Sequence, residues 1–271
     1  MMHLVNIMSF IENTVNGVTF MTAPVIRARH GFSTRYGGVS EGIFSSLNLS
    51  VSRGDDPDAV DENYRRLTEA VGVDRGAVAL TKQVHGSGVR TVTGPDGALR
   101  DAARPECDGL VTARRGLTLF CFTADCVPVL LCDAENGVIA AVHCGWRSSV
   151  ADILGAAVEK MTGLGAAAES ICAAIGPAIG ACCFEVGPEV PEAAEKLLGG
   201  DLGGLCRARP GRAGKYLLDL RGVNRRRLLQ LGLRAENIGV SDECTMCRPE
   251  KYWSHRATGG RRGCQAALIC L

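Results

Sequence analysis

The sequence predicts a single domain of the mixed α/β class, on three observations. Strand-like apolar runs alternate with helical stripes along the chain. No internal repeat or low-complexity stretch breaks them, and no interdomain linker divides the 271 residues. Hydrophobic residues at 46% and charged residues at 22% suit a globular chain able to bury a sizeable core.

Taken in order, residues 1–20 read as an N-terminal extension or lead-in strand. Residues 25–32 alternate like a strand. They enter the loop Ser33-Thr34-Arg35-Tyr36-Gly37-Gly38-Val39-Ser40, where two glycines permit close backbone approach. Arg35 there offers a bidentate fork to an anion, or a solvated charge on a surface loop. Asp56-Pro57 opens a helix, with Val60, Tyr64, Leu67 and Val71 at helical spacing. Residues 78–84 read as a strand ending at His85-Gly86, and Gly94-Pro95-Asp96-Gly97 as a turn. A loop over 101–106 then leads through 107–112 to the next strand.

The centre of the chain is a hairpin. Two apolar runs, residues 127–133 and 138–143, flank Ala-Glu-Asn-Gly, and Asn136-Gly137 is a strong type I′ signal. A two-residue loop sets Cys126 opposite Arg147, and a four-residue loop sets it opposite Gly145. In either register Cys126 and His143 share a face, because side chains alternate along strands. Trp146 then begins a helix with a stripe of Val150, Ile153, Leu154, Ala157, Val158 and Met161. Its N-terminal amides, just past His143, suit an anion such as phosphate, or simply meet water. Beyond it come a buried strand at 171–175, a turn at 176–180, a helix over 186–198 and a Gly-rich connection. A strand at 216–220, a basic amphipathic helix at 223–231, a strand at 237–241 and a closing strand at 266–270 complete the chain.

A net charge of +1 gives no broad footprint for nucleic acid, so no nucleic-acid partner is expected. The local clusters at Arg225 to Arg227 and at Arg261 and Arg262 read as solvated faces or helix-end charges. No uninterrupted apolar segment has the length of a membrane span, and the N-terminal stretch lacks a signal-peptide pattern. With 13 cysteines, several inside apolar runs, the expectation is a cytoplasmic chain with reduced thiols.

The chemistry arises from combining His85, Cys126 and His143. Two imidazoles and a thiolate make a three-ligand set for zinc with the fourth tetrahedral position open. Zinc so held lowers the pKa of its water to about 7. A rival set joins Cys244-Thr245-Met246-Cys247 to Cys182, Cys183 or Cys264. It reads as a structural or redox-sensitive thiol cluster rather than a metal site, since its partner cysteines are adjacent instead of spaced as in a zinc ribbon.

The segments HGFSTRYGGVS, TKQVHGSGV, CDGLVT, TADCVPVLLCD, AAVHCGWR, IGPAIGACCFEV and SDECTMC together resemble the YfiH-like laccase-domain family. The resemblance runs from about His30 to the C-terminus, with the segments in order. It implies an α/β sandwich of mixed sheets and helices, related in architecture to Cys-His toxin deamidases. It implies metal binding at His85, Cys126 and His143, with Arg35 and Asn48 as substrate-side groups; for the phosphate of such a reaction, Arg35, the zinc and the helix start near Arg147 offer a holding site. The implied activity is phosphorolysis of adenosine, inosine, guanosine and methylthioadenosine, with adenosine deamination beside it. Purine nucleosides and phosphate are thus the expected partners. One position departs from the pattern: Cys144 follows His143 where a small residue is usual, and strand alternation sends it to the opposite face. Three other readings stay open. The family also carries a multicopper polyphenol oxidase label, but five histidines do not furnish a multicopper ligand set, which leaves a single-copper oxidase. Cys126 and His143 also suit a nucleophile–base pair for peptidoglycan editing. The third is a metal- or partner-binding protein without catalysis.

Overall fold

The structure, a computed structural model, describes residues 9–96 and 104–271. Within the lead-in residues, 1–8 lie outside it, as do parts of the turn at 94–97 and of the loop at 101–106. In chain order the first half contains β1 (Ile11–Val15), β2 (Val18–Thr22), β3 (Arg29–Ser33), α1 (Pro57–Val71), β4 (Val78–Ala79), β5 (Val89–Thr91), β6 (Gly109–Thr112) and β7 (Thr118–Thr123). The centre holds β8 (Val127–Asp133), β9 (Val138–Cys144), α2 (Trp146–Val150), α3 (Ile153–Gly163), β10 (Cys172–Ile175), β11 (Glu185–Val186) and α4 (Glu189–Leu198). There follow β12 (Cys206–Ala208), β13 (Tyr216–Leu218), α5 (Leu220–Gln230), β14 (Ile238–Val240), α6 (His255–Thr258) and β15 (Gln265–Cys270).

These form two six-stranded sheets, ordered β1-β2-β3-β15-β7-β4 and β14-β10-β8-β9-β6-β5, with β11-β13-β12 as a small third. Apolar side chains line both faces of the large sheets, so each face needs a cover. Between the sheets pack Phe32, Leu119 and Ile269 from the first and Leu110, Leu130 and Ile139 from the second. The outer face of the first sheet takes Tyr64 and Leu67 of α1 against Phe120 and Leu268. That of the second takes Leu154, Ala194 and Val223 from α3, α4 and α5. The result is a mixed α/β fold layered helix, sheet, sheet, helices. No helix among the described residues is long and apolar enough to cross a membrane.

Local chemistry explains where the elements begin and end. Asp56 caps α1 by accepting from the Asp58 amide at 3.0 Å, with Pro57 in the first turn and Gly72 left-handed (φ 76°) at the end. Asn16 and Gly17 both take positive φ between β1 and β2, as a type I′ turn requires. That turn chemistry, predicted for the central hairpin, operates here instead. Between β8 and β9 the loop has four residues, with Asp133 opposite Val138. The Asp133 carboxylate holds it by accepting from the Asn136 backbone and side chain, the Ala167 amide and the Ser170 hydroxyl.

Several predicted elements change shape. The strand expected over 78–84 is only two residues long, because side chains claim its amides: Asp96 takes that of Leu80 and Asp108 those of Val84, His85 and Gly86. The helix expected from Trp146 through Met161 is two helices. Asp152 adopts φ 62° between them, caps α3 at Gly155 and pairs with Arg227 at 2.6 Å. The basic helix starts three residues early because Asp219 caps it through the Gly222 amide. The Gly-rich connection contains β12, which the sequence did not suggest.

Candidate metal centre and cleft

The site lies where the chain passes from one large sheet to the other, between the end of β7 and the start of β8. In the four-residue register Val127 opposes Cys144 and Pro128 opposes His143, so Cys126 falls on the same face as His143, beside Gly145. His85 arrives from the loop after β4 with its backbone at φ 60°, a conformation uncommon outside glycine. What holds it there is Asp108. Its fully buried carboxylate accepts the amides of Val84, His85 and Gly86 at 2.9 to 3.0 Å, and Nδ1 of His143 at 2.8 Å.

One carboxylate thus fixes the position of one imidazole and the orientation of another. The donor atoms of His85, Cys126 and His143 lie within 4.8 Å of one another, with Sγ of Cys126 3.9 Å from Nε2 of His85. The two imidazole rings meet edge to face, centroids 4.9 Å apart. Tetrahedral zinc with bonds of about 2.3 Å to sulfur and 2.0 Å to nitrogen would set those donors about 3.5 Å apart, so the set fits such an ion. The bond from Nδ1 of His143 to Asp108 leaves Nε2 as its donor, the usual arrangement behind a metal-bound histidine. A Cβ on Gly145 would lie 3.0 Å from Cδ2 of His85, 3.4 Å from Sγ of Cys126 and 3.5 Å from Cε1 of His143. Only glycine leaves the three donors undisturbed.

Burial pushes the Cys126 thiol up, but His143 and His85 outweigh it by charge and hydrogen bonding and draw it down to about 6. Burial also pushes His143 down, while Cys126 and Asp108 raise it to about 9. Without metal, each group therefore favours the charged form of the other. Cys144 points the other way, fully buried in the layer under α3, and its thiol is pushed far up by burial. Asp125 also turns away, at φ 87°, accepting from the Thr245 hydroxyl at 2.6 Å and the Arg256 amide at 2.7 Å.

The three donors open into a cleft of about 610 Å³. Leu49, Tyr64 and Phe122 give it an apolar wall, while Arg53, Lys82, Arg104 and Arg262 give it cationic lining. The other expected site residues lie outside this lining. The Arg35 guanidinium stacks 3.9 Å over Trp253 and donates to the carbonyls of Ser45 and Pro249. Asn48 is fully buried; its Oδ1 accepts the amides of Ser50 and Cys264, two residues that do line the cleft. Arg147 is exposed and stacks on Trp146 at 4.3 Å. It sits on a helix of only five residues, whose dipole is correspondingly small. Sequence reasoning gave no role to Asp108, Gly145, Arg53, Lys82 or Arg104, and it read Arg262 as a solvated or helix-end charge, whereas Arg262 is buried in the cleft wall, donating to the Gly263 carbonyl and to Sγ of Cys264. Asp108 carried one signal, an acidic residue heading the apolar run Gly109–Thr112.

The donor set narrows the metal chemistry. His30 is used within its own sheet, bonded to the Ala23 amide and the Ala28 carbonyl at 2.8 Å each. Among the described residues the groupings able to hold a metal are the His-Cys-His set and a cluster of Cys182, Cys183, Cys244 and Cys247. An imidazole-rich multicopper array is not among them.

Related proteins agree with this architecture. The chain is 39% identical over 258 residues to a purine nucleoside phosphorylase of Deinococcus radiodurans, covering 95% of each. It is 36% identical over 246 residues to adenosine deaminase RL5 of an unknown prokaryotic organism, covering 89% of this chain and 93% of that one. Among solved structures, YlmD of Geobacillus stearothermophilus superimposes with a TM-score of 0.87 at 34% identity, over 95% of this chain and 97% of YlmD. YfiH of Bacillus licheniformis gives 0.86 at 30% identity, over 95% of this chain and 97% of YfiH. With the family model matched from residue 29 to residue 271, the chain belongs to the family described as multi-copper polyphenol oxidoreductase laccase.

Proposed function

We propose that this chain is a zinc-dependent purine nucleoside phosphorylase, acting on adenosine, inosine, guanosine and methylthioadenosine, with adenosine deaminase activity at the same site. The observation that carries the reading is the His85–Cys126–His143 set, organised by Asp108, at the base of a cleft with one apolar wall and cationic lining. The relatives named purine nucleoside phosphorylase and adenosine deaminase support both reactions.

His85, Cys126 and His143 would hold the ion, which when bound supplies Lewis acidity and an acidified water. Asp108 keeps the proton on Nδ1 of His143, so that Nε2 stays available as a donor. Phe122, Tyr64 and Leu49 offer a purine base an apolar face and keep water from it. Lys82, Arg53 and Arg262, which line the cleft, would orient phosphate toward C1′ and balance charge that develops as the base departs. Arg35 and Asn48 act as positioning residues: Asn48 ties Ser50 to Cys264 across the cleft wall, and Arg35 braces the loops at Ser45 and Pro249. Arg147, stacked on Trp146 and outside the cleft lining, is given no part in this reading. The expected setting is cytoplasmic, where the thiols stay reduced.

Product analysis with adenosine, with and without phosphate, tests the reading. Adenine and ribose 1-phosphate formed only with phosphate, together with inosine in either condition, is the expected result. Oxygen consumption with a phenolic substrate by copper-loaded protein, and no nucleoside turnover, would replace it with a single-copper oxidase, the second reading that the family's description favours.

A further inference from the structure

Cys182 and Cys183 lie in the turn after β10, and Cys244 and Cys247 in the turn after β14. Parallel bridging of Ala178 to Cys244, and donation by the Thr245 amide to the Ala178 carbonyl at 3.1 Å, bring the turns together. All four sulfurs lie within 4.8 Å of one another. Sγ of Cys247 is 3.6 Å from that of Cys182 and 3.3 Å from that of Cys183. Four sulfurs around tetrahedral zinc, each about 2.3 Å from the ion, are about 3.8 Å apart, so these spacings need little adjustment.

Two further features suit a thiolate cluster. The Gly180 amide donates to Sγ of Cys244 at 3.2 Å, the kind of bond that stabilises a ligating sulfur. A Cβ on Gly180 would lie 3.2 Å from Sγ of Cys182 and 3.3 Å from Cβ of Cys244, so glycine lets the two turns close. Cys182 and Cys247 are exposed, which gives an ion a way in, and Cys244 is buried.

We infer that Cys182, Cys183, Cys244 and Cys247 form a second metal site, a closed tetrathiolate centre for zinc. Filling it converts up to about four thiols to thiolates and releases their protons to solvent, with no change in oxidation state. With every tetrahedral position taken by sulfur, no site remains for substrate, so the role is structural. Thr245, between the two ligands of the second turn, donates to Asp125, the neighbour of Cys126. The centre would thus clamp the backbone that carries the first site's sulfur.

The test measures metal in chain purified under reductant, in wild type, in Cys244→Ser/Cys247→Ser and in His85→Ala/His143→Ala. About two zinc per chain in wild type and about one in each variant is expected. Co2+ titrated into metal-free His85→Ala/His143→Ala should saturate near one equivalent with strong thiolate-to-cobalt charge transfer. A Cys244→Ser/Cys247→Ser chain with as much zinc as wild type overturns the inference. So does a His85→Ala/His143→Ala chain that binds neither zinc nor Co2+. If a variant fails to fold, alkylation mapping of zinc-loaded wild type decides. Protection of all four cysteines supports the centre, and either their modification or a Cys183–Cys247 disulfide overturns it. Because the two sites are emptied by different substitutions, failure here is distinct from failure of the nucleoside reading.

Discussion

Asp108 is the residue on which the candidate active site turns, because a carboxylate acceptor serves both histidines at once. Asp108→Asn replaces one acceptor oxygen with a donor, so some of the three amides or His143 must lose its partner. We expect metal affinity to fall about 10- to 100-fold, read by competition with a zinc chelator. The two central sulfurs should behave oppositely. Cys126→Ala should release the metal from this site and abolish turnover, while Cys144→Ala should keep both and cost about 1 kcal/mol of packing. Zinc content, turnover and melting temperature of the pair provide the check. In metal-free protein the depressed pKa of Cys126 also has a sign. Thiolate predominates above about 6, so iodoacetamide should modify Cys126 with a rate rising through that pH, and zinc should protect it. A rate that climbs only near the ordinary thiol range would mean the histidines are not beside it as described.

At the scale of elements, the central hairpin depends on an acid that the turn motif does not advertise. Asp133→Ala should cost about 2–3 kcal/mol, because it strips acceptors from Asn136, Ala167 and Ser170. Denaturant unfolding measures this, and an unchanged midpoint would mean the loop closes without it. The example also shows what one sequence reveals. Periodicity located α1, and alternation put Cys126 and His143 on one face. Residue type then drew His85 to them, and the fold places all three donors together. Asn136-Gly137 left a two-residue and a four-residue loop open, because what selects the four-residue one, the Asp133 carboxylate, acts through tertiary partners at residues 167 and 170. The same applies to Leu80 and to residues 84–86, whose amides go to Asp96 and Asp108 rather than to a strand. Side-chain acceptors far along the chain leave no periodic trace. Arg35 and Asn48 matched motif positions, yet Arg35 donates to backbone carbonyls, and Asn48 takes backbone amides at Oδ1 and gives Nδ2 to the Asp55 carboxylate, which residue type does not disclose.

At the scale of the molecule, the three donors sit at the seam of the two large sheets, with Cys126 in the crossing from β7 to β8. A bound ion should therefore stabilise the fold as a whole. At free zinc about 1,000-fold above its Kd the gain is about 4 kcal/mol. Thermal melts with zinc and with chelator should differ accordingly in wild type, and the part due to this site should vanish in His85→Ala/His143→Ala.

The position of β15 sets a timetable for assembly. It lies between β3 and β7, although it follows β7 by about half of the molecule and β3 by most of it. As the polypeptide emerges from a ribosome, the β8–β9 hairpin can close early, from local contacts. The first sheet cannot: β3 and β7 must stay apart, with their inner edges unsatisfied, until the segment that joins them has been made. Such late, long-range insertion is slow and leaves unpaired strand edges open in the meantime. The newborn chain is thus most vulnerable to self-association in that interval, and a chaperone that shields the edges of β3 and β7 would help it most then.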